Sequence, residues 1–338
     1  MDKQVVSASY DELIGLGVEA LNLAGVPSEH ARTTTEVLLR ADLRGFESHG
    51  IQRLLMYVPR LRQKLINPSP NIETLTLAPA IRLVSGDNGL GQVVASRGMS
   101  EAIQAARDSG LAFVGCKDSN HFGAAGIYVL NACEEKIIGI AGTNAFPTMA
   151  PWGGLEKRVG NNPLAIGIPS GDGNHFVLDI AMSVSSRGRI RMMAEKGESI
   201  PEGWALDARG NPTTDPLEAL KGFVLPIGRH KGYGLAVAID ILSGVLTGAA
   251  FSTGVKSLLQ QWEEPQHIGH FFITIDPGRF MPWNDFVQRT RELYKGLKST
   301  KPIDPNAPVL IPGEPEHELE RKRMAEGIPI DQATLIKL

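Results

Sequence analysis

Residues 233–251 are almost wholly apolar and about long enough to cross a bilayer, so they demand either a membrane or a protein core large enough to enclose them. Asp240 stands near the centre of this run, and Gly234, Gly244 and Gly248 interrupt it. A carboxylate at mid-bilayer is costly, and the segment therefore reads as a helix buried on all sides within a globular protein. A chain of 338 residues can build such a core, as two domains or as one large domain with appendages.

Charge narrows the partners. A formal net charge of -3, with 21% charged residues, gives no basis for nucleic acid or an anionic membrane as the main partner. Cys116 and Cys133 form no metal or redox motif and read as buried thiols in a reducing compartment. Met1-Asp2-Lys3-Gln4 lacks the apolar core of a signal peptide. A cytoplasmic enzyme is expected.

Helical periodicity dominates residues 8–66. Asp11 opens an amphipathic run through Leu13, Leu16, Val18 and Leu21, which Gly25-Val26-Pro27 breaks. Ser28 reads as the cap of a second helix to about Leu43, ended by Gly45, and Ser48 as the cap of a third reaching about Val58. After a proline-bearing linker at 67–70, strands are expected at 81–84, 111–116, 137–144, 164–168, 176–181 and 270–275. Helices are expected to end near Ser109 and Cys133 and to cover 283–298 and 316–326. These strands alternate with too few helices for a doubly wound sheet, so an α/β chain of the α+β type with a mixed, predominantly antiparallel sheet is expected. The organisation reads as an N-terminal helical region (1–70), a central region (71–300) and a proline-rich tail (301–338) that packs back on the core or on a partner subunit.

The chemistry concentrates in Ser48-His49-Gly50-Ile51-Gln52-Arg53. Within one helix, His49 would sit in the first turn and Arg53 one turn along the same face. Arginine grips carboxylates through a planar fork of donors, and histidine exchanges protons near neutrality. The pairing suits a 2-oxo acid, whose carboxylate must be held while its carbonyl oxygen is protonated. A plain cap, a surface imidazole and a solvated guanidinium are the alternative reading of the same residues.

Phosphate sites are less direct. Gly89 and Gly91 satisfy half of G-x-G-x-x-G, but Val94 stands where the third glycine belongs, which argues against a Rossmann fingerprint. Asn120-His121-Phe122-Gly123-Ala124-Ala125-Gly126 lies between a strand and a helix, where small residues let backbone amides approach an anion. Gly228-Arg229-His230-Lys231-Gly232 opens the apolar run and offers a helix start with polar and cationic side chains. The basic run Arg187-Gly188-Arg189-Ile190-Arg191 is either a solvated face or a contributor to an anion site.

In their joint order these segments resemble the malate/L-lactate dehydrogenase family of non-Rossmann NAD(P)-dependent oxidoreductases. That family includes sulfolactate and ureidoglycolate dehydrogenases, 2,3-diketogulonate reductase and Δ1-piperideine-2-carboxylate reductase. The resemblance covers nearly the whole chain. It rests on Ser48-His49-Gly50 with Arg53, Asn120-His121-Phe122-Gly123, Met149-Ala150-Pro151-Trp152-Gly153-Gly154, Asn162-Pro163-Leu164-Ala165, Asp179-Ile180-Ala181, His230-Lys231-Gly232 and Pro312-Gly313-Glu314-Pro315. It implies a non-Rossmann NAD(P)-binding fold, often homodimeric. It also implies that His49 is the proton donor, Ser48 its relay and Arg53 the carboxylate grip, with Asn161, Arg187, Gly188 and Arg189 on the substrate side. NAD or NADP would lie against His121, Phe122, Gly123, Ala124 and Ala125, against Asp179, Ile180 and Ala181, against His230 and Lys231, and under Gly313, Glu314 and Pro315. No metal is implied.

Arg189 stands where imine-reducing members look to carry aspartate and hydroxy-acid dehydrogenases lysine. Its positive charge favours a small 2-hydroxy or 2-oxo acid, with a second anionic group, over a cyclic imino acid. The expected reaction is hydride transfer between nicotinamide and the 2-carbon, with His49 kept neutral by a helix N-terminus. Two rivals fit less well. A ligand-binding relative without catalysis would carry a damaged Ser48, His49 or Arg53, and a metal-dependent lyase or hydrolase would need H-E-x-x-H or C-x-x-C, which the sequence lacks.

Overall fold

The computed structural model describes residues 5–338; Met1 to Gln4, on which the reading of the amino terminus rests, lie outside them. Strand β1 (Val5–Ala8) leads into α1 (Tyr10–Asn22). Ser9 caps α1: its hydroxyl accepts the Glu12 N–H while the Glu12 carboxylate accepts the Ser9 N–H, a reciprocal arrangement worth about 1 kcal/mol. Pro27 precedes α2 (Ser28–Leu43), so Ser28 is the first helical residue rather than the cap. The expected third helix does not start at Ser48. Residues 47–53 form two short 3-10 turns, Glu47–His49 and Ile51–Arg53, and α3 (Leu54–Arg62) begins only after them.

Next come β2 (Glu73–Ala78), β3 (Ile81–Ser85), α4 (Gly91–Ser109), β4 (Leu111–Ser119), α5 (Ala125–Glu134), β5 (Ile138–Thr143), the short ribbon β6 (Pro147–Met149) and β7 (Val159–Gly160), then β8 (Leu164–Ile168) and β9 (Phe176–Ile180). A smaller lobe follows, with α6 (Arg187–Lys196), β10 (Ala205–Leu206), β11 (Pro212–Thr213), α7 (Pro216–Lys221) and β12 (Phe223–Val224). The chain re-enters the body through α8 (His230–Asp240), β13 (Ile268–Ile275) and α9 (Trp283–Lys298). The tail carries α10 (Glu314–Glu326), β14 (Ile328–Asp331) and α11 (Gln332–Lys337), and β14 pairs antiparallel with β1, Val5 opposite Asp331.

The central sheet has seven strands in the order β2-β3-β4-β13-β5-β8-β9. Only β3 and β4 run parallel, joined by the crossover helix α4; every other neighbour is antiparallel, as the scarcity of helices foretold. One sheet face is covered by α4 and α5 through Val94, Met99, Ile127, Tyr128 and Phe272. The other meets α8 and the smaller lobe through Phe271, Ile239, Ala236 and Met182. A second core joins α1–α3 to the returning tail, with Leu38, Leu54, Tyr57, Ile328 and Ile330.

The apolar run at 233–251 is not buried on all sides. Helix α8 ends at Asp240, a π-helical turn covers Ile241–Val245, and no helix among the described residues is long and apolar enough to cross a membrane. Asp240 accepts hydrogen bonds from Asn144 Nδ2 at 3.0 Å and Ser252 N–H at 3.0 Å, which explains a carboxylate in so apolar a stretch. Leu235, Ile241, Val245, Leu246 and Phe251 are exposed, forming an apolar face that the expectation of complete burial did not foresee.

Arg60 ties the helical region to the far side of the fold. Fully buried on α3, it donates to Leu258 O at 3.2 Å, Gln261 O at 2.8 Å and Glu264 O at 3.4 Å, and stacks over Trp262. Carbonyls and an aromatic face replace the water and counterion that a buried cation otherwise needs. Arg60→Ala is expected to cost about 3 kcal/mol in urea unfolding and to loosen the 257–266 loop. Stability within about 0.5 kcal/mol of the parent would show that the loop holds without it.

Candidate functional site

Asp42, near the end of α2, is buried, and its Oδ2 accepts the Ile51 N–H at 2.7 Å. A Cβ at Gly50 would lie 1.7 Å from Asp42 Oδ1, so only glycine lets the chain pass this close to the carboxylate. The chain breaks there between the two 3-10 turns, and Ser48, His49 and Arg53 are carried on its outer side. Ser48 Oγ lies 2.9 Å from His49 Nδ1, and Arg53 Nε donates to Ser48 O at 2.5 Å. Ser48 makes no cap hydrogen bond. The three side chains form one knot, built by local turns rather than by a helix face.

His49 and Arg53 line a cavity of roughly 270 Å³, with His121, Phe122 and Gly123 from the β4–α5 connection and Asn161, Arg187 and Gly188 beyond. Its volume suits a small acid and one ring rather than a whole dinucleotide. The pKa of His49 falls to about 4, because burial disfavours its charged form and Arg53 repels a second positive charge. The expected helix N-terminus plays no part in this.

Arg187 lines the cavity, but its guanidinium also donates to Leu220 O at 2.6 Å and to Gly222 O at 3.5 Å. Arg189 does not line it. The Arg189 guanidinium sits 4.9 Å from the centre of the Trp204 ring, and its N–H is held by Ser186 Oγ at 3.1 Å. In its place Arg191 faces the cavity. The reason is helical geometry: Arg187 and Arg191 lie four residues apart on one face of α6, and Arg189 on another. Reading 187–196 as a helix would have found Arg191 from the sequence. Asn144, Thr148, Gln260 and Gln266 also line the cavity, and nothing in their sequence context marked them.

A second pocket, of roughly 320 Å³, gathers Asp179, Gly313 and Pro315 with Arg44, Phe46 and Glu316. Gly313 takes a positive φ of 97°, and a Cβ there would meet the backbone of His175 and Val177 at 2.9 Å. This brings the tail onto β9, with Val177 N–H donating to Pro312 O at 2.9 Å. Glu314 turns away, pairing with Lys298 at 2.6 Å and accepting the Ile311 N–H. Ala124 and Ala125 are buried, while Ile180 and Ala181 are half-buried. The start of α5 already holds an anion of the chain's own, since Gly126 N–H donates to Asp179 Oδ2 at 2.7 Å. Burial raises the pKa of Asp179 to about 6, and that hydrogen bond opposes the rise.

The two pockets are neighbours. Phe46 lines one, and its carbonyl accepts the N–H of His49, which lines the other, at 2.8 Å. His230 and Lys231 stand elsewhere, exposed at the start of α8, with the His230 ring edge-on to Trp152 at 6.1 Å. The amides of Lys231, Gly232 and Tyr233 are engaged by carbonyls of residues 227–229, so this helix start has no free amides at those three positions.

The model of the family described as malate/L-lactate dehydrogenase matches residues 8–338. The malate/(S)-sulfolactate dehydrogenase of Methanothermus fervidus is 42% identical over 98% of this chain and 95% of its own. The solved sulfolactate dehydrogenase of Methanocaldococcus jannaschii superimposes with a TM-score of 0.92 at 41% identity, covering 98% of this chain and 95% of that one. The Δ1-piperideine-2-carboxylate reductase of Pseudomonas syringae pv. tomato gives 0.89 at 28% identity, covering 98% of each chain. With the His49–Arg53 knot in a small acid-sized cavity beside a second pocket, this chain belongs to the malate/L-lactate dehydrogenase family.

Proposed function

We propose that the protein is an NAD(P)-dependent dehydrogenase acting at the 2-carbon of a small 2-hydroxy or 2-oxo acid that carries a second anionic group, of the malate or sulfolactate kind. The observation that carries this reading is the convergence of Arg53, Arg187 and Arg191 on the cavity that holds His49. One guanidinium suffices for the 2-carboxylate; further cations favour a second carboxylate or a sulfonate. Arg191, not Arg189, supplies the additional charge at the cavity.

The nicotinamide, when bound, supplies or accepts the hydride. The chain's residues manage the proton. In reduction His49 protonates the oxygen of the 2-carbon while Arg53 holds the adjacent carboxylate. Ser48, exposed and 2.9 Å from Nδ1, returns a proton from solvent to the imidazole. Because Arg53 is one of the causes that depress His49, a carboxylate neutralising Arg53 raises the imidazole's affinity for a proton. The substrate thereby readies its own proton donor.

Phe122, Gly123 and the Asp179–Gly313 pocket support the cofactor placement, and His230 and Lys231 offer cationic and polar groups for phosphate. The exposed apolar face of Leu235, Ile241, Val245 and Leu246 supports a homodimer. The free, buried thiols of Cys116 and Cys133 support a reducing cytoplasm. A second reading, reduction of a cyclic imino acid, is favoured by the fold shared with the Pseudomonas syringae enzyme.

The test is loss of nicotinamide absorbance with NADH and NADPH separately, against oxaloacetate, 3-sulfopyruvate, pyruvate and Δ1-piperideine-2-carboxylate. Turnover of a dianionic oxo acid is expected. Arg191→Ala is expected to raise KM for that acid by about tenfold or more and to leave pyruvate within about twofold. Turnover of the cyclic imine alone would replace this reading by the second.

The pH dependence follows from the direction of the His49 shift. A lowered pKa keeps the imidazole neutral, and able to accept a proton, far below the ordinary value of 6.5. In hydroxy-acid oxidation kcat/KM, which reports the free enzyme, is expected to stay level from about pH 8 to about pH 5. A fall centred near pH 6.5 that persists in Asp42→Asn and in Asp179→Asn, whose carboxyls are raised to about 7 and about 6, would contradict this.

A further inference from the structure

Tyr57 and Gln92 are buried side chains that the reaction as written does not use. Tyr57 lies one helical turn beyond Arg53, and its Oη is 2.6 Å from His121 Nδ1. Gln92, in the first turn of α4, places its amide nitrogen 3.0 Å from Tyr57 Oη and 3.3 Å from the backbone carbonyl of His121.

The requirement that each buried hydrogen find an acceptor assigns a direction to these contacts. A backbone carbonyl only accepts, so the Gln92 group facing His121 O must be the nitrogen and not the oxygen. The same nitrogen donates its other hydrogen to Tyr57 Oη. Tyr57 Oη meets no acceptor among the described residues other than His121 Nδ1, so its buried hydrogen is satisfied only if it goes to that nitrogen, which then accepts. A neutral imidazole that accepts at Nδ1 carries its hydrogen at Nε2. Among the described residues no hydrogen-bond partner meets that nitrogen, and His121 lines the cavity within 5.6 Å, ring centre to ring centre, of His49.

We propose that Tyr57 and Gln92 are positioning residues that lock His121 in the Nε2–H tautomer, so that it presents a fixed hydrogen-bond donor to an oxygen of the substrate. The inference rests on the dehydrogenase reading and adds a division of labour to it. His121 can hold an oxygen but cannot take a proton at Nε2, which leaves proton exchange to His49. Burial supports the arrangement at both ends. It pushes the phenol of Tyr57 up to about 12, keeping its hydrogen in place, and holds His121 well below its ordinary pKa. Arg53, His49 and His270 add to the latter effect. A wrong tautomer at an active-site imidazole lowers kcat even where the geometry is intact.

The tautomer can be read directly from the nitrogen chemical shifts of 15N-histidine-labelled protein at neutral pH, with His121 assigned through the signal lost in His121→Gln. The wild-type protein is expected to show His121 protonated at Nε2 alone. Tyr57→Phe and Gln92→Met are expected to give mixed tautomers and to lower kcat by about ten- to a hundredfold, with cofactor affinity by fluorescence unchanged within about twofold. An Nδ1–H signal in the wild-type protein, which needs no variant to fold, would overturn the proposal. So would variants with wild-type tautomer and kcat, or variants that lose thermal stability without a change of tautomer. Full activity in His49→Ala would instead overturn the dehydrogenase mechanism and leave the tautomer result standing, so the two failures are distinguishable.

Discussion

A buried carboxylate sets the geometry of this protein. Asp42 is 5% exposed, and its hydrogen bond to the Ile51 amide holds the point where the chain breaks at Gly50. Leaving a carboxylate in such surroundings is costly, and burial raises its pKa to about 7 against the pull of that amide. Because the chain passes over the carboxylate in two tight turns, His49 and Arg53, the proposed proton donor and anion grip, are carried on one short segment. The tail braces the same place. Arg323 on α10 donates to Asp42 O and pairs with Glu47, while Glu320 pairs with Arg44 at 2.7 Å. Pairing of β14 with β1 brings these distant residues within reach.

Burial also decides where charge resides. His49, His121 and His270 are all held below their ordinary pKa, chiefly because burial penalises an imidazolium. His270, between Thr143 and Ser119 at 2.8 and 2.7 Å and stacked on Phe122, is a structural member of this group. The cavity's positive charge at neutral pH is then the charge of its guanidiniums. A cavity charged in this way favours an anion, and since Arg53 helps to depress His49, an anion on Arg53 would relieve that depression.

Much of this was legible in the sequence. Strand patterning gave the mixed sheet, and the order of short motifs gave the family; helix 283–298 was read to its ends. What escaped notice depended on tertiary context. The hexapeptide was read as a helix because its apolar spacing continues into α3, but the Asp42 carboxylate that breaks it lies one element upstream. The apolar run was read as fully buried because spacing does not tell which apolar face stays uncovered. Arg191 rather than Arg189 faces the cavity because 187–196 is a helix, a periodicity that a short basic run does not display by itself. Tyr57 and Gln92 carry no local signature, since their meaning lies in a hydrogen-bond direction set by the backbone of His121.

One coupling links substrate binding to proton exchange in this site: an anion on Arg53 changes the proton affinity of His49. Its direct measurement is an NMR titration of the His49 imidazole, in the free protein and with a saturating, unreactive dicarboxylate such as malonate. The expected result is a pKa near 4 in the free protein and a rise of about one unit or more with the dianion bound. An unchanged pKa, with the dianion bound at the site, would contradict it.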